Sequence, residues 1–130
     1  MRASATPDGF RGVFRDDAPA RAVYSEAAGI AQIVPRAVAV PADADDLVTL
    51  VRWAAGGRIP LIPRGSGSSM AGGAVGDGVV VDLGRLARRG AVDRERMSIV
   101  CGPGVLRDEV NAAARAAGLH FPVDPYRGAV

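Results

Sequence analysis

The chain has 130 residues, a formal net charge of +2, one Cys and one His. Such a length fits one ordinary domain, a lone Cys excludes an internal disulfide, and one Cys with one His cannot build a zinc site. All sixteen basic residues are Arg, against eleven Asp and three Glu, a bias that fits a GC-rich genome better than a nucleic-acid-binding function.

In chain order, residues 1–20 show no periodicity and carry Pro7, Gly9, Gly12 and Pro19, so they read as a mobile N-terminal arm, with globular order starting near Ala22. The opening MRASATPDGFRGVF has no apolar core of a secretory signal, and no stretch approaches the roughly twenty apolar residues of a membrane span. A cytoplasmic protein is therefore expected.

Pro41-Ala42-Asp43 announces a first helix, with Asp43 as N-cap, Asp45 and Asp46 facing the positive end of its dipole, and Gly56 as the stop. Leu47, Leu50, Val51 and Ala54 recur at helical spacing and form one apolar stripe, with Trp53 beside it at the core or its rim. Capping explains the Asp43, Asp45 and Asp46 cluster better than a metal or acid–base site does.

Leu61-Ile62, Val79-Val80-Val81 and Ser98-Ile99-Val100 read as strands. Arg85, Arg88, Arg89, Arg94 and Arg96 fall between the last two, interspersed with Asp82, Asp93 and Glu95 and with no aromatic among them. They read as a solvated connection in preference to a phosphate or RNA patch. Cys101, at a strand end, reads as a small buried hydrophobe. A second helix starts near Val105 and stops at Gly118, with Leu106, Val110, Ala113, Ala114 and Ala117 on one face. His120 reads as a packing or exposed residue, since no pocket for a general base is visible around it. The fold class is α+β, helices packed on a small mixed sheet.

The densest chemical signal lies between two of those strands. Ile59 to Arg64 empties into Gly65-Ser66-Gly67-Ser68-Ser69, where small side chains leave successive N–H groups able to converge on an anion, with Arg64 as a cation at the mouth. A P-loop is excluded because no Lys follows the glycines. A Rossmann fingerprint fails because Met70 stands where its third Gly belongs, and a nucleophile elbow because Ala71 replaces its final Gly. Taken alone, the loop is either a phosphate cradle or an ordinary Gly-rich connection.

With its flanks, the segment resembles the first half of the FAD-binding domain of the FAD-linked oxidases, the vanillyl-alcohol-oxidase or PCMH-type superfamily. The ordered motifs that carry the likeness are Tyr24-Ser25, Gln32 to Pro35, the strand Ala37 to Pro41, a helix with Asp45-Asp46-Leu47, then Ile59 to Ser69 with Gly72-Gly73. Val81-Asp82-Leu83, Gly102 to Val105, Asn111, Gly118-Leu119 and Pro122-Val123-Asp124-Pro125 complete it, so the likeness spans about residues 20–125. Within the superfamily the chain is most similar to D-2-hydroxy-acid dehydrogenases, such as glycolate oxidase flavoprotein subunits and D-lactate dehydrogenases.

The resemblance implies an incomplete PCMH-type FAD-binding fold in which residues 21–130 form the N-terminal part of the domain. It implies an FAD-dependent oxidoreductase that oxidises a 2-hydroxy acid such as glycolate or D-lactate, the α-hydrogen leaving as hydride to the flavin. The cofactor-binding set it implies is Arg64, Gly65, Ser66, Gly67, Ser68, Ser69, Gly72, Gly73, Asp124 and Pro125. Ser68 occupies the place where covalently flavinylated members carry His, so the FAD is expected to be noncovalent. Departures from the family pattern are Glu26-Ala27-Ala28 after Tyr-Ser, where an Asp is common, and Tyr126-Arg127 after Asp-Pro. No catalytic base is named by the resemblance within these residues. Two alternatives stand beside this reading: a noncatalytic truncated or split-gene fragment that needs a missing C-terminal half or partner chain, and a reductase of the same fold with another substrate.

Overall fold

Val79, Val80 and Val81 are β-branched and uninterrupted, which suits a strand buried on both faces. In the computed structural model, which describes residues 6–123, that strand lies inside a four-stranded sheet. The chain divides into two units, Met1–Arg85 and Leu86–Val130.

The elements of the first unit are β1 (Val13–Arg15), α1 (Ala18–Val23), β2 (Ala37–Val40), α2 (Ala44–Gly57), β3 (Leu61–Arg64) and β4 (Val79–Asp82). The sheet order is β1-β2-β4-β3. β4 pairs in parallel with β2, Ala37 opposite Val79 and Ala39 opposite Val81, and in parallel with β3, Leu61 opposite Val79 and Arg64 opposite Asp82. β1 runs antiparallel to β2, Val13 opposite Val40. The sheet is thus small and mixed, as expected. One face of it, through Ala37, Ala39, Val79 and Val81, packs with Leu50 of α2 to form the core. Phe10, Phe14, Leu47 and Trp53 close over this cluster, with Phe14 edge-on to both Trp53 and Phe10 at centroid distances of 5.6 and 6.4 Å. Trp53 therefore belongs to the core rim.

Two expectations for this unit are corrected. The first is the arm: β1 lies within residues 1–20 and α1 begins there, with Asp17 capping α1 by accepting from the Ala20 N–H at 3.1 Å. The cause is Asp46. Its buried carboxylate accepts the N–H groups of Arg11, Gly12 and Ala42 at 2.8, 2.9 and 2.8 Å, and so binds the N-terminal segment to the start of α2. No local pattern around residues 11–15 reports a partner 35 positions away. The second is the stripe of α2. Asp43 is the N-cap, accepting from the Asp46 N–H at 2.9 Å, but the buried residues are Asp46, Leu50 and Ala54, while Val51 is exposed. Drawing Asp46 inward rotates the buried face away from Val51. The helix also runs past Gly56 and ends at Arg58, whose φ of 51° is left-handed.

The second unit contains the hairpin β5 (Arg89–Asp93) and β6 (Ser98–Cys101), followed by α3 (Arg107–Ala116). The Arg-rich stretch read as a connection thus contains a strand. Its charges do sit in solvent: Arg88, Arg89, Arg94 and Arg96 are exposed. Asp93 accepts the Arg96 N–H at 2.9 Å and Met97 takes a φ of 49°, which turns the hairpin. Cys101 is exposed, not buried, because β5 and β6 form a two-stranded sheet and Cys101 falls at its end. In α3, Glu109 accepts the Leu106 N–H at 3.0 Å, Val110 and Ala114 are buried, and Gly118 follows the last turn at a φ of 74°. Leu106 is half-exposed and His120 exposed.

Candidate functional site

In parallel sheets, ligands gather beyond the carboxyl ends of the strands. β3 reaches that end at Arg64, and β4 reaches it beside β3 at Asp82. The chain leaves β3 through Gly65-Ser66-Gly67-Ser68-Ser69 and must return to the amino end of the sheet to begin β4. Ala74 and Val75 are buried and pin that return. Arg36 secures its far end: the Arg36 N–H donates to the Gly78 carbonyl at 2.7 Å, and its guanidinium pairs with Asp77 at 3.1 Å, which holds the Asp77 carboxyl below the usual carboxylate range.

Gly67 is the pivot of the loop. Its φ of 80° is a left-handed conformation that favours glycine, and a side chain there would place Cβ 2.7 Å from Cζ of Arg64. Its carbonyl accepts the Ala28 N–H at 3.0 Å. Among the described residues, none supplies an acceptor to the N–H groups of Gly65, Ser66, Gly67, Ser68 or Ser69. Gly67 itself is buried, so its N–H is a donor within the protein with no partner among the described residues. Five successive donors without an acceptor among the described residues, in a chain turned at a left-handed glycine, are available to an anionic oxygen. The residues therefore fit a phosphate-bearing group.

Beyond Ser69 the expected residues divide. Gly72 has a φ of 82° and turns the chain, its carbonyl accepting the Val75 N–H at 3.4 Å. The Gly73 N–H is already committed to Ser69 Oγ at 3.2 Å, so Gly73 braces the loop and does not offer its donor outward. Asp124 and Pro125 lie outside the described residues.

Arg64 does not stand open at the mouth of the loop. Its Nη1 donates to the Glu26 carbonyl at 2.7 Å and to the Ala74 carbonyl at 3.3 Å. Its Cζ lies 5.2 Å from the ring centroid of Tyr24. The Tyr24 hydroxyl donates to Asp82 Oδ2 at 2.5 Å, and Asp82 Oδ1 accepts the Gly84 N–H at 2.9 Å. Burial, reinforced by the bond to Asp82, pushes the Tyr24 phenol up to about 12. Arg64 thus joins the segment after α1, the loop and the return into β4. Sequence reading placed Tyr24 only within a family likeness, and it missed Ala28, Glu26 and Asp82 as supports of the loop. Their partners lie 38 to 58 residues away, and no local pattern encodes them.

Among the described residues no cluster of three or more His, Cys, Asp or Glu could hold a metal, and no helix is long and apolar enough to cross a membrane.

Comparison with known proteins bears on the family and the fold. Residues 35–129 match the FAD binding domain family. Glycolate oxidase subunit GlcD of Bacillus subtilis is 30% identical over 115 residues, which are 86% of this chain and 24% of that protein. D-2-hydroxyglutarate dehydrogenase of Pseudomonas putida is 34% identical over 117 residues, 87% of this chain and 12% of that protein. The chain therefore spans a quarter or less of the length of these two relatives. Among solved structures, 6-hydroxy-D-nicotine oxidase from Arthrobacter nicotinovorans aligns over 96% of this chain and 28% of its own, with a TM-score of 0.77 and 24% identity. An alkyldihydroxyacetonephosphate synthase aligns over 86% of this chain and 26% of its own, with a TM-score of 0.71 and 22% identity. These likenesses give the fold as the PCMH type.

Proposed function

The chain belongs to the FAD binding domain family and takes FAD as its cofactor, and we propose that residues 64–69 hold the FAD pyrophosphate noncovalently within an oxidoreductase that acts on a 2-hydroxy acid. The observation that carries the pyrophosphate assignment is the run of five N–H groups around Gly67 that have no acceptor among the described residues. Each hydrogen bond from such a donor to a charged oxygen contributes roughly 1.5–3 kcal/mol, so three or four of them suffice to seat a pyrophosphate. Ser68 offers no imidazole for a covalent link to the flavin. The substrate class is drawn from the relatives, whose names specify glycolate, D-2-hydroxyglutarate and D-lactate.

Bound FAD would supply the two-electron acceptor, and the chain's own residues would supply position and electrostatics. The loop N–H groups would donate hydrogen bonds to the pyrophosphate oxygens, Gly67 would let the backbone approach them, and Arg64 would add a fixed positive charge beside the loop.

The test is a titration of the 130-residue chain with FAD, ADP and riboflavin, followed by flavin fluorescence and thermal stability. FAD and ADP should compete for one site and raise the melting temperature, while riboflavin, which has no phosphate, should do neither. Riboflavin binding as tightly as FAD would overturn the pyrophosphate assignment. Flavin that stays with the protein after denaturation would overturn the noncovalent one.

A further inference from the structure

Arg64 is the one charged side chain of the candidate cradle, and its geometry is that of a brace. Nη1 is spent on the carbonyls of Glu26 and Ala74, which belong to different segments, while Nε and Nη2 have no acceptor among the described residues. The same group lies against Gly67, where a Cβ would come within 2.7 Å of Cζ and 3.0 Å of Nε. Beside those two hydrogen bonds, the group rests over the Tyr24 ring at 5.2 Å. That ring is in turn fixed by its hydroxyl on Asp82, at the end of β4 and 58 residues away in the chain.

We propose that Tyr24 and Asp82 are positioning residues for the anion cradle: Asp82 pins the Tyr24 hydroxyl, the ring seats Arg64, and the seated guanidinium shapes the loop that meets bound phosphate. The inference rests on the reading of residues 64–69 as the pyrophosphate site, and it assigns the loop's shape to a relay that starts on the neighbouring strand. The direction of each bond supports it. The phenol has one proton to donate and gives it to Asp82, and the second carboxylate oxygen is held by the Gly84 N–H. Both ends of the relay are therefore committed before any ligand arrives.

A double-mutant cycle on the 130-residue chain tests the proposal, with FAD affinity as one readout and the backbone amide signals of Gly65 to Ser69 in the ligand-free chain as the other. Tyr24→Leu and Arg64→Met should each weaken FAD binding about tenfold, in line with loss of a partly desolvated cation–π seat. The double variant should be no worse than about tenfold, because both substitutions break the same relay. Tyr24→Phe keeps the ring and should lose about threefold or less, with Asp82→Asn, which still offers the hydroxyl an acceptor, close to it. In the ligand-free chain, Tyr24→Leu and Arg64→Met should move the same amide signals. Multiplicative losses of about a hundredfold in the double variant would show Tyr24 and Arg64 acting independently and overturn the relay. Unchanged Gly65 to Ser69 signals in both single variants would overturn it as well. Failure of the wild-type chain to bind FAD would refute the pyrophosphate reading alone, because the amide signals report on the relay without ligand.

Discussion

Replacing Gly67 by Ala is the sharpest perturbation of the cradle, because two separable costs meet at one position. A Cβ at a φ of 80° costs about 1–2 kcal/mol for any L-residue. The same Cβ would lie 2.7 Å from Arg64 Cζ, so the guanidinium must give way. If it leaves the Glu26 and Ala74 carbonyls, two hydrogen bonds from a charged donor are lost at roughly 1.5–3 kcal/mol each before water compensates. A net penalty on the order of 2–4 kcal/mol follows for the binding-competent loop, equivalent to an FAD affinity weakened about thirtyfold or more. Gly72 supplies the control. Its φ of 82° carries the same backbone cost, but its Cβ would meet only the Ala31 methyl at 3.9 Å, so Gly72→Ala should weaken FAD binding by about fivefold. Isothermal titration of both variants with FAD, beside melting curves, separates the two costs. Equal losses for the two variants, or a Gly67→Ala affinity within twofold of wild type, would refute the argument that the loop is shaped against Arg64.

Asp46→Ala strands the N–H groups of Arg11, Gly12 and Ala42, at about 1–3 kcal/mol each before water enters. Urea unfolding should show about 3–5 kcal/mol lost, and a loss under 1 kcal/mol would contradict the clamp. Burial and the bond to Asp82 push the folded Tyr24 phenol up to about 12 from an ordinary value of 10.0. The folded state therefore keeps a proton that the unfolded chain gives up, so the stabilisation from this group is complete below pH 10 and is lost as pH rises toward 12. Phenolate absorbance should show that late ionisation in the wild type and lose it in Tyr24→Phe. Cys101, exposed at the end of β6, should react with a thiol reagent in the native chain as fast as in urea, whereas protection of more than tenfold would mean that the residue is covered.

The legible parts of the fold were those written locally. The β-branched run Val79 to Val81, the Asp43 cap and the small-residue loop each declare themselves within a few positions, and each stands where the pattern put it. β1 was illegible because three residues, VFR, carry no period and are held by β2, while the Arg11 and Gly12 just before them are held by a carboxylate on α2. The stripe of α2 was misread for a related reason. A carboxylate at position 46 looks like a solvent or dipole residue until its three backbone donors are known. In the site, the glycines could be read because a positive φ selects for them, while Tyr24, Glu26 and Asp82 could not, since their roles exist only once β3 and β4 lie side by side.

That difference locates where binding and folding are coupled. A Gly/Ser loop loses more backbone freedom on ordering than any other sequence, and an anion that had to order it unaided would lose much of its binding energy to that cost. Here the ordering is done on folding. Register between β3 and β4 sets Arg64 beside Asp82, Asp82 fixes Tyr24, and Ala28 and Glu26 reach the loop from the segment after α1. Substitutions that weaken β3–β4 pairing should therefore reduce FAD affinity in step with stability, while Tyr24→Leu should reduce affinity more than stability. On the proposed reading the loop supplies the donors, and folding of the sheet bears the entropy cost of ordering them before the ligand arrives.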